Sequence, residues 1–289
     1  MSTAFNKICI YGVGLIGGSL ARAYKVAYPN VEIMGAGRNE ANLQQAQNLG
    51  IVDSFSTDLS FALDAADLLV VAVPVGSIET AFEKLKPHLT DSIVITDVGS
   101  TKGNVVACAH KVLQQLAKNF VPGHPIAGIE KSGAESAFAE LFQQRRVILT
   151  PTSDTDLTAI KRITALWQAC GAEVVEMSVE HHDEVLAATS HLPHMLAFSL
   201  VDTLSKMNDK QEIFKYAAGG FRDFTRIASS SPEMWQDICL ANSDALVEVI
   251  EKFQSDLTSL TKAIGSGDSE LILELFSRAK EARDQFCNE

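Results

Sequence analysis

Two patterns of apolar residues divide the chain. Up to about residue 175, short apolar and β-branched runs alternate with segments in which apolar residues recur at helical spacing. The runs that predict strands are 7–11, 31–35, 67–73, 92–97, 120–121, 146–150 and 173–176. The segments that predict helices are 19–27, 40–49, 78–85 and 105–117. Because most of the strand runs are apolar throughout, we predict an α/β, doubly wound parallel sheet of Rossmann type with helices on both faces.

After about residue 177 the strand-like runs give way to long amphipathic segments at 180–207, 234–264 and 268–286. Gly265-Ser266-Gly267 separates the last two, and Asp268 stands where it can cap the final helix. We therefore predict an α/β domain over residues 1–175 and an all-helical domain over residues 176–289. A length of 289 residues fits two domains.

A glycine-rich turn follows the first predicted strand and leads into a helix. Its sequence is Gly12-Val13-Gly14-Leu15-Ile16-Gly17. In this context the first glycine allows a tight turn, the second lets the backbone approach a pyrophosphate, and the third lets the helix pack on the strand. We therefore predict a dinucleotide site, and the alternative is a domain of this fold that has lost its cofactor. The predicted cofactor contacts are Gly12, Gly14, Leu15, Ile16 and Gly17, with Val73 and Pro74 at the end of the third predicted strand.

The same N-terminal stretch has the order of a signal peptide, with Lys7, an apolar run and then Ala21-Arg22-Ala23. The four glycines between residues 12 and 18 would weaken a signal helix, so the strand and turn are the better interpretation.

The second predicted strand ends at Gly35-Ala36-Gly37-Arg38, without the acidic residue that usually binds the ribose of NAD. Arg38 could instead pair with the 2′-phosphate of NADP. We therefore predict NADP in preference to NAD; in the alternative interpretation Arg38 is only a solvated loop charge.

Two loops at the carboxyl edge of the predicted sheet carry candidate chemistry. Asp97-Val98-Gly99-Ser100-Thr101-Lys102 follows the fourth predicted strand, and Gly123-His124-Pro125-Ile126-Ala127-Gly128 follows the next. No apolar periodicity around His124 predicts its burial, so we predict a catalytic histidine, with a structural loop histidine as the alternative.

Two further stretches lie in the helical part. In Ser190-His191-Leu192-Pro193-His194, the proline removes a helical hydrogen bond from the Thr189 carbonyl, and Ser190 and His194 lie on one face. The two histidines could also be a metal pair, but no third ligand is near in sequence, so no metal is predicted. Arg222, Asp223 and Arg226 lie beside two glycines, and this arrangement indicates either a carboxylate site held together by Asp223 or a structural ion pair.

Charge and cysteine content narrow the class of protein. The chain has 36 acidic and 24 basic residues, a net charge of −12, which argues against nucleic-acid and anionic-membrane partners. It has no apolar run of about 20 residues, the length of a membrane span. Its five cysteines are dispersed, which favours a reducing compartment and predicts a cytoplasmic location.

Taken together, these stretches resemble the prephenate/arogenate dehydrogenase family of tyrosine biosynthesis. The motifs occur in the same order as in the family, and the last of them are Ile227-Ala228 and Met234-Trp235. The resemblance therefore extends over nearly the whole chain. It implies a homodimer formed by the helical domain. It also implies oxidative decarboxylation of prephenate to 4-hydroxyphenylpyruvate, or of arogenate to tyrosine. The alternatives are a β-hydroxyacid or imine reductase of similar architecture and a non-catalytic NAD(P)-sensing module.

The resemblance also implies roles for individual residues. His124 matches the base that accepts the proton of the ring hydroxyl, and Ser100 matches a serine that helps to position it. The positions that match or adjoin the substrate pocket are Arg226, His194, Ser190, Trp235, Glu130 and Asp223. Thr101, where valine is common, and Ile129, where some relatives have a polar residue, depart from the pattern.

Overall fold

The computed structural model describes residues 4–129, 131–208 and 210–288, the side chains of residues 210, 211, 213 and 286–288 excepted. Its strands are β1 (Lys7–Tyr11), β2 (Glu32–Ala36), β3 (Ser54–Ser56), β4 (Leu68–Val71), β5 (Val94–Asp97), β6 (Phe120–Val121), β7 (Gly123–Pro125), β8 (Arg146–Leu149) and β9 (Glu173–Glu176). Its helices are α1 (Leu15–Ala27), α2 (Glu40–Asn48), α3 (Leu59–Ala62), α4 (Ile78–Leu85), α5 (Gly103–Leu113), α6 (Leu157–Ala169), α7 (Val179–Leu186), α8 (Leu192–Ser205), α9 (Lys210–Lys215), α10 (Gly219–Thr225), α11 (Pro232–Ala241), α12 (Ser243–Ser266) and α13 (Ser269–Asn288).

Strands β1 to β6 form a six-stranded parallel sheet in the order β3-β2-β1-β4-β5-β6. Along β1, Ile8 and Ile10 belong to the core on one face, while Cys9 and Tyr11 belong to the core on the other. Burial on both faces explains why the strand is apolar without alternation after Lys7. This arrangement confirms the predicted doubly wound fold. The strand order reverses between β1 and β4, and ligands of such sheets bind at the carboxyl ends of the strands there.

A second sheet was not predicted. Strand β7 pairs antiparallel with β8, and β8 pairs parallel with β9, in the order β7-β8-β9. Strands β3 and β7 have only three residues each, too few for a periodic signal. The helix predicted over 105–117 ends at Leu113, because Gln114 takes a positive φ of 56° and a 3₁₀ segment follows.

Among the described residues no strand follows Glu176, which confirms the predicted helical C-terminal part. Helices α7 and α8 are joined by a π-helical turn over residues 187–191, just before Pro193. Proline offers no N–H to the preceding turn, and the helix is distorted there, as predicted.

The prediction of a single segment over 234–264 is wrong. Asn242 leaves helical geometry with φ −120° and ψ 37°, between α11 and α12. Its side-chain amide donates a hydrogen bond of 2.8 Å to the carbonyl of Asp183, a long-range contact that sequence spacing does not show. The predicted cap of the last helix is confirmed, since the carboxylate of Asp268 accepts the N–H of Leu271 at 3.1 Å.

By packing, the chain divides into two compact units, residues 1–243 and residues 244–289. The predicted domain boundary between residues 175 and 176 stays a prediction. The stretch that has the order of a signal peptide forms β1 and the start of α1 in the core. No helix in the described part of the chain is both long and apolar enough to cross a membrane.

Candidate active site

The glycine turn at the end of β1 requires residues without side chains. Gly12 has φ +102°, and a Cβ there would lie 2.4 Å from the carbonyl oxygen of Ala72. A Cβ at Gly17 would lie 2.5 Å from the carbonyl oxygen of Gly12, so this glycine lets α1 pack on the turn. A Cβ at Gly14 would meet nothing within 4 Å, because this position faces open space. The turn therefore has the three properties that a pyrophosphate site requires.

A cavity of about 670 Å³ opens beside this turn. Its lining includes Gly12, Gly14, Arg38, Val73 and Pro74, all predicted cofactor contacts. The N-terminus of α1 faces solvent space without a side-chain cap, which leaves amide N–H groups for phosphate oxygens. We call the glycine turn over residues 12–17 and the cavity beside it the cofactor cradle. These observations show that the cofactor cradle fits a dinucleotide.

The remaining predicted contacts are placed differently. Leu15 and Ile16 lie in the first turn of α1 and pack against the core rather than lining the cavity. Lys84 of α4 and Asn39 also line the cavity, and sequence reasoning missed both. Lys84 was not found because it stands on a helix that carries no nucleotide-binding motif.

His124 lies in β7, paired with Ile148 of β8, and its side chain is only 8% exposed. The expectation of an unburied loop histidine is therefore wrong. His124 is buried because neighbouring elements cover the short strand β7. The local pattern of apolar residues gives no sign of this burial.

A buried ion pair anchors the strand that carries His124. The Lys102 ammonium lies 2.5 Å from the Asp97 carboxylate, and both side chains are fully buried. Asp97 also accepts the N–H of Gly123 at 3.1 Å, and Lys102 donates to the Gly123 carbonyl at 2.8 Å. The residue before His124 is thus held through both its backbone polar groups. Burial lowers the pKa of Lys102, and the Asp97 carboxylate opposes that shift.

The ring of His124 has a side-chain partner that sequence reasoning missed. Its Nδ1 lies 2.9 Å from Nε2 of His182, and Nδ1 of His182 lies 2.7 Å from the carboxylate of Asp183. The only local signal was the triplet His181-His182-Asp183 at the start of α7, where His182 is buried and His181 exposed. Ser100 is half-buried, and no hydrogen bond joins it to His124, although both residues are described.

The environment of His124 keeps its imidazole neutral. Burial lowers the pKa of His124 well below 6.5, and the neighbouring His182 and Lys102 lower it further. Burial also lowers the pKa of His182, although the Asp183 carboxylate opposes the shift. A neutral imidazole is suited to accept a proton.

The second predicted group of residues gathers around an indole. The ring of His194 stacks on Trp235 with centroids 3.7 Å apart, and Nδ1 of His194 donates to the Ser190 carbonyl at 2.8 Å. The His191 ring lies edge-on to the same indole at 6.0 Å. Trp235 is itself buried in the core that includes α4 and α5. The structure therefore brings Ser190, His194 and Trp235 together, while their place in a substrate pocket stays a prediction.

The arginine segment forms α10 and the 3₁₀ turn after it, with Arg222 and Arg226 both exposed. Asp223 is exposed and makes no ion pair with Arg222 within the described residues, and the expected carboxylate site held together by Asp223 stays a prediction. Consecutive helical residues point in different directions, which explains why these two side chains do not meet. Glu130 lies outside the described residues. No group of three metal-ligating side chains occurs among the residues described.

Comparison with known proteins gives two family matches. The profile "Prephenate dehydrogenase, nucleotide-binding domain" matches residues 20–176. The profile "Prephenate dehydrogenase, dimerization domain" matches residues 178–278.

Individual proteins agree with these matches. The chain is 41% identical to a cyclohexadienyl dehydrogenase of Zymomonas mobilis subsp. mobilis, covering 97% of this chain and 96% of that protein. A crystal structure of prephenate dehydrogenase from Aquifex aeolicus, in complex with hydroxyphenyl propionate and NAD+, superposes with a TM-score of 0.92 at 38% identity. That superposition covers 99% of this chain and 100% of the other. A Synechocystis arogenate dehydrogenase superposes with a TM-score of 0.82 at 28% identity, covering 97% of this chain and 99% of that one.

Proposed function

Since the chain belongs to the prephenate dehydrogenase family, we propose that it oxidises and decarboxylates prephenate to 4-hydroxyphenylpyruvate, or arogenate to tyrosine, with NAD(P). Both substrates remain in the proposal because similar proteins are named for each of them. The two differ only in a keto or amino group on the side chain, away from the reacting ring.

One observation carries this proposal: a buried histidine, kept neutral, stands beside the carboxyl end of β5, on the sheet edge where the glycine cradle also opens. His124 accepts the proton of the substrate 4-hydroxyl as C4 becomes a carbonyl carbon. A bound nicotinamide would supply the acceptor for the hydride that leaves C4. The ring carboxylate departs as CO₂, and its bonding electrons complete the aromatic ring. The protein therefore needs to orient the ring, supply the base and hold the carboxylates.

The substrate contacts in this proposal come from the helical elements. Arg226 offers a guanidinium fork for a carboxylate, in a protein whose net charge of −12 does not attract anions over long range. The stacked pair of His194 and Trp235 offers a flat, partly polar wall for the ring, next to Ser190. Glu130 and Asp223 keep their proposed place near the entrance on the basis of the resemblance alone.

The preference for NADP over NAD rests on the adenosine end of the cavity. Arg38 and Lys84 both line the cavity, and no acidic residue follows β2 before Arg38. Two cations favour a 2′-phosphate, whereas a carboxylate would repel it.

The helical part is proposed to form a homodimer. The matched profile over 178–278 is described as a dimerization domain, and α12 and α13 expose large apolar side chains. They include Val247, Leu257, Ile264, Leu273 and Phe276. A cytoplasmic location stays a prediction from the dispersed cysteines.

The test is a paired assay of the purified protein. Prephenate and arogenate are each supplied with NADP or NAD, while reduced cofactor and released CO₂ are measured together. We expect equal amounts of both products with at least one substrate. Reduced cofactor without CO₂, or no turnover of either substrate, would contradict the proposal and favour a reductase or a non-catalytic module.

A further inference from the structure

A chain of hydrogen bonds runs from His124 to the beginning of a helix. Beyond the contacts of His182 with His124 and Asp183, the Asp183 carboxylate accepts the backbone N–H of Lys102 at 2.8 Å and of Gly103 at 2.7 Å. These amides begin α5. The carboxylate is therefore held at a helix N-terminus, where negative charge is stabilised. Burial raises the pKa of Asp183, but the hydrogen bonds from His182 and these two amides together outweigh burial and lower that pKa below its usual value, so the group is ionised.

The direction of every bond in this chain follows from that carboxylate. An ionised carboxylate only accepts hydrogen bonds, so Nδ1 of His182 carries the proton. In a neutral imidazole the other nitrogen is then a lone-pair acceptor, so Nε2 of His182 must accept from Nδ1–H of His124. Nδ1 of His124 is thereby a donor, and its Nε2 is left with the lone pair.

We propose that His182 and Asp183 are positioning residues that fix the tautomer of His124, with Nδ1 protonated and Nε2 presented to the substrate hydroxyl. This inference deepens the proposed function and rests on it for its kinetic consequence. As His124 takes up the substrate proton, the same chain stabilises the imidazolium through Asp183. The two residues act on the reaction without touching the substrate.

The charged groups around the chain favour this arrangement. Lys102 lies beside His124, because its ammonium donates to the carbonyl of Gly123, and it is paired with the Asp97 carboxylate. His191, in the π-helical turn, acts on His124 through its charge. A second proton on His182 would reverse its bond to His124 and leave Nε2 of His124 protonated. Burial disfavours that proton and the Lys102 ammonium adds to the effect, whereas Asp183 fixes the single proton at Nδ1.

The tautomers are observable directly in the wild-type protein. Two-bond ¹H–¹⁵N correlation spectra of histidine-labelled protein near pH 7.5 distinguish a protonated from an unprotonated ring nitrogen. We expect His124 and His182 both to carry the proton on Nδ1, and a His124 proton on Nε2 would overturn the proposal. The assignment uses His124→Asn and His182→Gln as reference spectra.

Variants separate positioning from structural support. His182→Gln can still present an oxygen acceptor to Nδ1–H of His124, whereas His182→Leu cannot. We expect His182→Leu to lower kcat about 10²-fold or more, within the range for a positioned base, with KM and cofactor Kd close to wild type. His182→Gln should recover most of that loss. His181→Leu, the exposed neighbour on the same helix, is the matched control and should leave kcat unchanged.

Asp183→Asn provides a second variant, since its amide can donate to His182 and so reverse both bonds. We expect its His124 to move the proton to Nε2 and its kcat to fall about 10²- to 10⁴-fold. If both His182→Leu and Asp183→Asn fold and keep wild-type kcat, the positioning role is refuted. If the wild type turns over neither substrate, the proposed function fails instead, and the tautomer spectrum still decides the arrangement of protons.

Discussion

The cofactor cradle and the histidine cluster are assembled in opposite ways. The cradle occupies residues 12–17, contiguous in sequence, and it works through backbone groups in places where no Cβ fits or none obstructs. The cluster joins His124 of β7 to His182 of α7, 58 residues later, and works through side chains that are buried. The cofactor cradle depends on the absence of side chains at its glycines. The histidine cluster depends on polar side chains that hydrogen-bond to one another in a buried environment.

This difference determines how each site fails. Replacing a glycine of the cofactor cradle by alanine adds a methyl group, and this should change the cofactor Kd or the stability of the fold. In the histidine cluster, a substitution that removes a ring proton or moves it to the other ring nitrogen should change kcat. Binding and chemistry are therefore expected to be separable by mutation.

The largest expected effect is in the cluster. His124→Asn removes the base, and we expect kcat to fall about 10²- to 10⁴-fold. Cofactor Kd, measured by fluorescence titration, should stay close to wild type because the cradle is untouched. His110→Asn, an exposed histidine on α5, is the control. A comparable loss of cofactor affinity would show that the two sites are not separable.

Arg226→Ala is expected to have the next largest effect. Loss of charge-assisted hydrogen bonds to a carboxylate costs about 1.5–3 kcal/mol, or roughly 10- to 150-fold in KM. Arg222→Ala, on the same exposed segment, should do less. Steady-state kinetics on both variants checks this, and a KM for either substrate within threefold of wild type in Arg226→Ala contradicts the carboxylate role.

Two glycine variants probe the cradle. Gly12→Ala forces a side chain into positive φ and against the Ala72 carbonyl, so we expect a loss of at least about 1–3 kcal/mol in unfolding free energy. Gly14→Ala meets no protein atom, so its unfolding free energy should match wild type while cofactor Kd rises about tenfold, roughly 1.4 kcal/mol. Chemical denaturation and cofactor titration separate the two. Equal stability of Gly12→Ala and wild type would refute the role of that turn.

A smaller effect is expected at the adenosine end of the cradle. Arg38→Ala should weaken NADP about fivefold, the upper end for an exposed ion pair, and leave NAD nearly unchanged. Titration with both cofactors gives the ratio directly. An equal loss for both cofactors, or a wild type that strongly prefers NAD, contradicts the proposed preference.

The smallest effect is on stability. Burial lowers the pKa of His191 from 6.5 to about 4, so the unfolded chain takes up a proton on this residue at a higher pH than the folded chain does. The neutral ring of His191 therefore makes its full contribution to the free energy of unfolding above pH 6.5. This contribution is lost as the pH falls toward 4. We expect about 0.8 kcal/mol less stability at pH 6 than at pH 8 from this residue. Urea unfolding of wild type and His191→Gln at both pH values measures it, and equal pH dependence would contradict it.

The same contrast explains what could be predicted from sequence. The cradle was predicted with its glycine roles because spacing alone specifies a turn between a strand and a helix. The burial of His124, the partner His182 and the break at Asn242 could not be predicted in this way, because each depends on contacts between segments far apart in the chain. His194 and Trp235 fall between these cases, since the resemblance named both residues but not their stacking.

The central claim is that a buried, neutral His124 supplies the base. The dependence of kcat on pH between 4 and 9, for wild type and His124→Asn, tests it most directly. We predict an acid limb in the wild type with an apparent pKa below 6.5, because burial disfavours the protonated ring, and no such limb in the variant. An acid limb at or above pH 6.5, or the same limb in both proteins, would contradict the claim.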